Sequence, residues 1–123
     1  MDLQRMDWVL APENRSIAHA RTLIAQKLAG LPDEPLQVVL LLTSELVTNA
    51  VRYGTGPVGL HLAWAEGVVR VEVEDGSPEW PVVQAMDRDA LGGRGLILVD
   101  ALSTNWGVVA GGTGKTVWFT ASA

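Results

Sequence analysis

Glu45, Thr48, Asn49 and Arg52 stand at spacings i, i+3, i+4 and i+7 in the run SELVTNAVRYG. On a helix these spacings place a carboxylate, a hydroxyl, a carboxamide and a guanidinium in one stripe. Val39, Leu42, Leu46 and Ala50 form a second, apolar stripe that must face a sheet. Leu41 continues the polar stripe upstream, so the polar cluster occupies only the last two turns. Such a cluster can bind a polar ligand, and it can equally be a solvated helix face.

Asp75 adds a second group. Counting by two from Val69, Val71 and Val73 brings a strand to Asp75 on its apolar face. A carboxylate on a buried face needs a partner. An adenine amino group is one candidate and a backbone N–H another. The Asp75-Gly76-Ser77-Pro78 sequence also suits a simple turn. Further on, Gly92, Gly93, Arg94 and Gly95 precede an apolar stretch. Glycines let backbone N–H groups approach an anion, and a helix N-terminus adds positive potential. The bland alternative is a flexible loop before a helix. The run Gly111-Gly112-Thr113-Gly114-Lys115-Thr116 superficially resembles a Walker loop. Val109 stands where that motif requires its first Gly, and Val117, Trp118 and Phe119 read as strand rather than helix, so a hairpin turn fits better.

The elements that must position these groups follow from periodicity. Residues 6–11 suit an edge strand. Asn14 can cap a helix over 15–29, in which Ile17, Ala20, Ile24 and Leu28 recur at helical spacing and Gly30 is the stop. Asp33 reads as the next N-cap, with Pro35 tolerated in the first turn of a long helix over 36–53. Residues 58–65 and 68–74 alternate as a hairpin joined by Glu66 and Gly67. Residues 76–91 are a long polar stretch with Pro78 and Pro81, of the kind that forms lids. A helix over 96–102 and a hairpin of 105–110 and 115–121 close the chain. This order predicts an α+β two-layer sandwich: a mostly antiparallel or mixed sheet with helices on one face, as a single domain over residues 1–123. Trp64, Trp106 and Trp118 fall in strands and suit a core, leaving Trp80 as the surface candidate.

Composition narrows the function. The 123 residues carry a formal net charge of −5 and no cysteine, with 48% hydrophobic and 19% charged residues. A disulfide framework, a thiol nucleophile and a cysteine zinc site are excluded. His19 and His61 are the only histidines, which argues against a His-rich metal site. No basic cluster suggests nucleic acid, and no apolar run reaches the roughly 20 residues of a membrane span. Residues 1–15 are too polar for a signal peptide, so a cytoplasmic protein is expected.

Taken in order, these motifs resemble the GHKL, or histidine-kinase-like, ATPase superfamily with its Bergerat-type fold. The likeness is to its stand-alone anti-sigma-factor serine kinases, the short form common in actinobacteria. SELVTNAVRYG resembles the asparagine box, VEVEDGSP the first glycine box, GGRGLILVDALSTNWGV the second and GGTGKTVWF the last. The resemblance covers about residues 8–121, and the asparagine box with GGRGL about 40 residues later is its most specific part. It implies ATP and Mg²⁺ as cofactors. By that likeness Glu45 orients or deprotonates the nucleophile. Asn49 binds Mg²⁺. Asp75 accepts a hydrogen bond from the adenine amino group. Gly93, Arg94 and Gly95 cradle phosphates. Thr116 assists Asp75 through water. Gly76 and Leu96 complete the nucleotide-contacting set. By helix spacing alone, Arg52 lies one turn beyond Glu45 and Asn49 and can add positive charge. Ser77 and Glu79 stand where many members carry two further glycines. Neither a phosphoacceptor histidine domain nor a transducer domain is expected from these motifs.

The resemblance implies a serine/threonine protein kinase acting in transcription regulation. Its partners would be a sigma factor and an antagonist (anti-anti-sigma) protein, with a homodimer as a further expectation. No direct contact with nucleic acid or membrane is expected. A non-catalytic module whose nucleotide gates a partner surface is the alternative, and a domain that binds no nucleotide is a third reading.

Overall fold

The computed structural model describes residues 3–77, 93–111 and 114–123. Along the chain run β1 (Gln4–Leu10), α1 (Arg15–Lys27), α2 (Asp33–Tyr53), β2 (Val58–Ala65), β3 (Val68–Asp75), α3 (Gly93–Leu102), β4 (Asn105–Gly111) and β5 (Gly114–Ser122). The five strands form one sheet in the order β1-β2-β3-β5-β4. Every neighbouring pair among them is antiparallel. The result is the expected α+β sandwich.

The alternating valines of β3 fix its orientation. Val69, Val71 and Val73 are buried, whereas Arg70 and Glu72 are half-buried and Glu74 exposed on the other face. The register sets Val71 opposite Phe119 and Val73 opposite Val117, so the buried faces of β3 and β5 coincide. Leu60 and Leu62 extend that face through β2. Against it pack Val39, Leu42, Leu46, Val47 and Ala50 of α2, together with Ala20 and Ile24 of α1 and Val99 of α3. Phe119 sits fully buried in this layer. Truncating such a side chain costs roughly 3–5 kcal/mol, which makes the α2–sheet contact the frame on which the polar groups are mounted.

Several boundaries differ from expectation for local reasons. Asn14 is itself in the helical region and makes no side-chain cap. Instead the buried Ser16 hydroxyl donates to the Ala11 carbonyl at 2.6 Å, tying the start of α1 to the end of β1. Helix α2 begins at Asp33, preceded by the extended Pro32, so Asp33 lies inside the helix rather than capping it. Asp33 and Glu34 in its first turn and Arg52 in its last complement the helix dipole. Helix α3 begins at Gly93, three residues before the expected start. Gly67 turns the β2–β3 hairpin at φ +82°, a region costly for any residue with a Cβ. Gly111 and Gly114 pair where β4 and β5 meet, and residues 112 and 113 of the expected turn lie outside the described residues.

One tryptophan departs from expectation. Trp64 and Trp106 pack against the core. Trp118 lies instead on the uncovered sheet face, because it alternates with the buried Val117 and Phe119. There the Arg70 guanidinium stacks 4.1 Å from its ring centroid, and Gly107 leaves room for the indole. Trp80 and the polar stretch 78–91 lie outside the described residues.

Candidate functional site

Glu45 and Asn49 sit half-buried one turn apart on α2, and Arg52 is exposed in its last turn. Burial pushes the Glu45 carboxyl above its ordinary value, an effect that the nearby Arg52 charge partly offsets. A half-buried carboxylate with a raised pKa is the usual condition of a general base. Thr43 and Leu46, near it in sequence, are buried. The Thr43 hydroxyl has no hydrogen-bond partner among the described residues.

The C-terminal end of α2 meets Asp75. Gly54, the residue that ends the helix, lies so close that a Cβ there would stand 2.5 Å from Asp75 Cγ and from the Ala50 carbonyl oxygen. Asn49 lies immediately before Ala50 on that same final turn. The Gly76 N–H donates to the Thr55 carbonyl at 2.7 Å, fastening the end of β3 to the segment after α2. Asp75 therefore continues the buried face of β3, as counting by two predicts. Its side chain is 3% exposed.

Asp75 has partners already. Its Oδ1 accepts the Ser77 N–H at 2.7 Å. The Lys115 ammonium donates to Oδ1 at 3.1 Å and lies 3.0 Å from Oδ2, with the lysine side chain only 8% exposed. Lys115 is the direct cross-strand partner of Asp75. The sequence reading missed this pair. The signal was available: counting back by two from the buried Phe119 and Val117 gives Lys115 on the same face.

Thr116 is placed differently from the resemblance-based expectation. It alternates with the buried Lys115 and Val117, lies opposite Glu74 and Val109, and projects on the uncovered sheet face. Its side chain is thus on the other side of the sheet from the Asp75 carboxylate. Gly93, Arg94 and Gly95 form the first turn of α3 rather than a loop before it. The first N–H groups of a helix lack intrahelical partners, so this turn keeps the anion-facing potential that the glycine loop was expected to supply. Leu96 is buried. Helix α3 packs on α2, which brings the second glycine box toward the asparagine box. Gly92 lies outside the described residues.

A hollow of about 470 Å³ opens at this end of the sheet, with Thr55, Gly76, Lys115, Glu74, Thr116 and Val109 in its wall. Because Glu74, Thr116 and Val109 belong to the uncovered face, the hollow wraps the strand ends and does not by itself mark the space between α2 and the sheet.

A metal would find limited protein ligation here. Among the described residues no group of three or more His, Cys, Asp or Glu side chains forms a metal cage. The half-buried carboxamide of Asn49 beside Glu45 fits instead an ion that keeps its waters and takes other ligands from phosphate, which is the habit of Mg²⁺.

Three helices packed on one face of a five-stranded antiparallel sheet define the class of a Bergerat-type α+β sandwich. The chain belongs to the histidine kinase-like ATPase domain family, whose sequence pattern matches residues 10–121. No curated protein matches the chain significantly. Among solved structures it is similar to the RsbU and RsbW domains of Rv1364c from Mycobacterium tuberculosis, with TM-score 0.72 and 22% identity over 96% of this chain. It is also similar to the histidine kinase domain of the blue-light activated histidine kinase of Erythrobacter litoralis EL346, with TM-score 0.59 and 25% identity over 87% of this chain. A third is the Acinetobacter baumannii histidine kinase AdeS, with TM-score 0.56 and 12% identity over 99% of this chain. The chain spans 31% of the first of these and 59% of the second. Among the described residues, no helix is long and apolar enough to cross a membrane.

Proposed function

We propose that the chain binds ATP with Mg²⁺ and acts as a serine/threonine protein kinase of the anti-sigma-factor type, phosphorylating an antagonist protein and so regulating transcription in the cytoplasm. The observation that carries this reading is Glu45: a half-buried carboxyl with a raised pKa, one helical turn from Asn49, on the helix whose end packs against Asp75. The RsbW domain in the similar Mycobacterium tuberculosis structure supports the choice of kinase type.

Phosphoryl transfer depends mainly on positioning and charge neutralisation. Asn49 would hold Mg²⁺, which when bound offsets the phosphate charge. The first turn of α3, with Gly93, Arg94 and Gly95, would orient the phosphates, and Arg52 would add positive charge at the end of α2. Asp75, with Gly76 beside it, would read the base. Glu45 takes the proton from the substrate serine hydroxyl as the serine oxygen bonds to the γ-phosphorus. The bond to the bridging oxygen breaks, and ADP leaves.

Incubation with labelled ATP and candidate antagonist proteins tests the reading. Label on an antagonist serine, lost in Glu45→Ala while ATP binding persists, is the expected result. Removing an acid–base group typically slows a reaction ~10²–10⁴-fold. Transfer by Glu45→Ala at the wild-type rate would refute the assigned role. Tight ATP binding without transfer to any antagonist would instead indicate a nucleotide-gated binding module.

A further inference from the structure

Asp75 carries a conflict of roles. A carboxylate offers about four lone-pair sites to donors. One at Oδ1 is taken by the Ser77 N–H at 2.7 Å. The Lys115 ammonium spans both oxygens, at 3.1 Å and 3.0 Å. The ammonium has little water to return to, since its side chain is 8% exposed and that of Asp75 is 3% exposed. Moving it away would leave two buried ions unpaired. The backbones are equally confined. The start of β5 presses on the end of β3, where a Cβ on Gly114 would collide with the Asp75 carbonyl oxygen, and Gly54 closes the other side.

We infer that Lys115 is a specificity-determining residue of the base site, holding the Asp75 carboxylate in competition with the amino group of a 6-aminopurine. This rests on the reading of Asp75 as the base-facing group of a nucleotide site. The physical consequence is specific. A base amino group gains most when it meets a carboxylate with no other cation. When an ammonium already holds both oxygens, the amino group adds a bond to an acceptor whose charge is largely offset. The site then discriminates weakly between a purine that carries the 6-amino group and one that lacks it. A neutral side chain at position 115 returns the full acceptor strength of Asp75 to the base.

The competing explanation is a structural ion pair with no part in binding. The ratio of two affinities separates the two. ATP and purine riboside triphosphate, which differ by the 6-amino group alone, are titrated calorimetrically into the wild-type chain, Lys115→Gln and Lys115→Met. Loss of the lysine charge acts equally on both triphosphates and cancels in the ratio. The wild type is expected to bind the two within about threefold of each other, whereas the neutral variants prefer ATP by about tenfold or more, the range of a hydrogen bond to a charged acceptor. Two variants are used because either may be too unstable to titrate, and the wild-type ratio needs neither. A wild-type preference for ATP of tenfold or more overturns the inference, and so does an unchanged ratio in a folded variant. Failure of every protein to bind either triphosphate at millimolar concentration overturns the nucleotide site itself and the inference with it.

Discussion

Gly54 and Asp75 touch with no space for a side chain between them: a Cβ on Gly54 would lie 2.5 Å from Asp75 Cγ. The end of α2 and the end of β3 are thereby held in one fixed relation. Asn49 and Glu45, on the last turns of α2, inherit that relation to the carboxylate.

Gly54→Ala follows directly. The added methyl meets both Asp75 Cγ and the Ala50 carbonyl, and overpacking of this kind typically costs about 1–3 kcal/mol. The urea midpoint should fall with an unchanged slope. Gly30→Ala is the control, since nothing lies within 4 Å of the corresponding Cβ. Its midpoint should move by less than about 0.5 kcal/mol equivalent. Equal midpoints for Gly54→Ala and wild type would show that the contact is not tight.

On the reading of Glu45 as the general base, the nearby Arg52 charge predicts a pH effect on the proposed transfer. A general base works ionised, so the rate should fall as pH drops through the raised Glu45 pKa, giving an acid limb above the ordinary value of 4.5. Arg52 lowers this pKa against the larger effect of burial. Arg52→Ala should therefore move the acid limb to higher pH. A side-chain carboxyl titration by NMR reports the same shift without catalysis. Movement of the limb to lower pH would contradict the assignment.

On the uncovered face His61 bridges two carboxylates, with Nδ1 2.6 Å from Asp7 and Nε2 2.9 Å from Glu74. Partial burial pulls its pKa down, but the hydrogen bonds and charges of Asp7 and Glu74 outweigh this, and the net shift is upward from 6.5. A raised folded pKa means that the stabilisation is fully present below the unfolded value near 6.5. It is lost as pH rises through the higher folded value. The urea midpoint should decline across that window, by a small amount because the three groups are partly solvated. His61→Gln should flatten the decline. A wild-type midpoint that rises over the same pH range would contradict a raised folded-state pKa for His61.

Asp75→Asn leaves the Lys115 ammonium buried beside a neutral amide. Breaking a buried pair by removing one partner costs roughly 3–5 kcal/mol, and the burial of both side chains puts this pair in that class. Thermal unfolding should show a large drop that the double variant Asp75→Asn/Lys115→Met partly restores. A purely additive loss in the double variant would indicate that the two side chains are not coupled.

Much of this arrangement was legible in the sequence because alternation is a strong signal. The bounds of β2 came out as expected, and the parity that buries Val69, Val71 and Val73 also buried Asp75. Helix starts were less legible. Asp33 looks like a cap, yet the helix already includes it, since Pro35 is tolerated in a first turn. Glycine's low helix propensity disguised Gly93 and Gly95 as loop, although a first turn needs little propensity once the following residues pack. Lys115 was the substantive omission. A lysine at the mouth of a Gly-rich hairpin reads as solvated, and only the pairing of β5 with β3 reveals that it faces a buried aspartate. Thr116 shows the same lesson in reverse: adjacency in sequence to Lys115 places it on the opposite face.

The central claim is that Glu45, Asn49 and Asp75 border one nucleotide site at the junction of α2 and β3. NMR of the isotope-labelled chain, titrated with Mg²⁺ and a non-hydrolysable ATP analogue, tests it most directly. Saturable shifts at the Asn49 side-chain amide and at the backbone amides of Gly76 and Gly95, sharing one dissociation constant, are the predicted result. Unchanged signals at all three, or shifts confined to the uncovered sheet face around Trp118, would contradict the account.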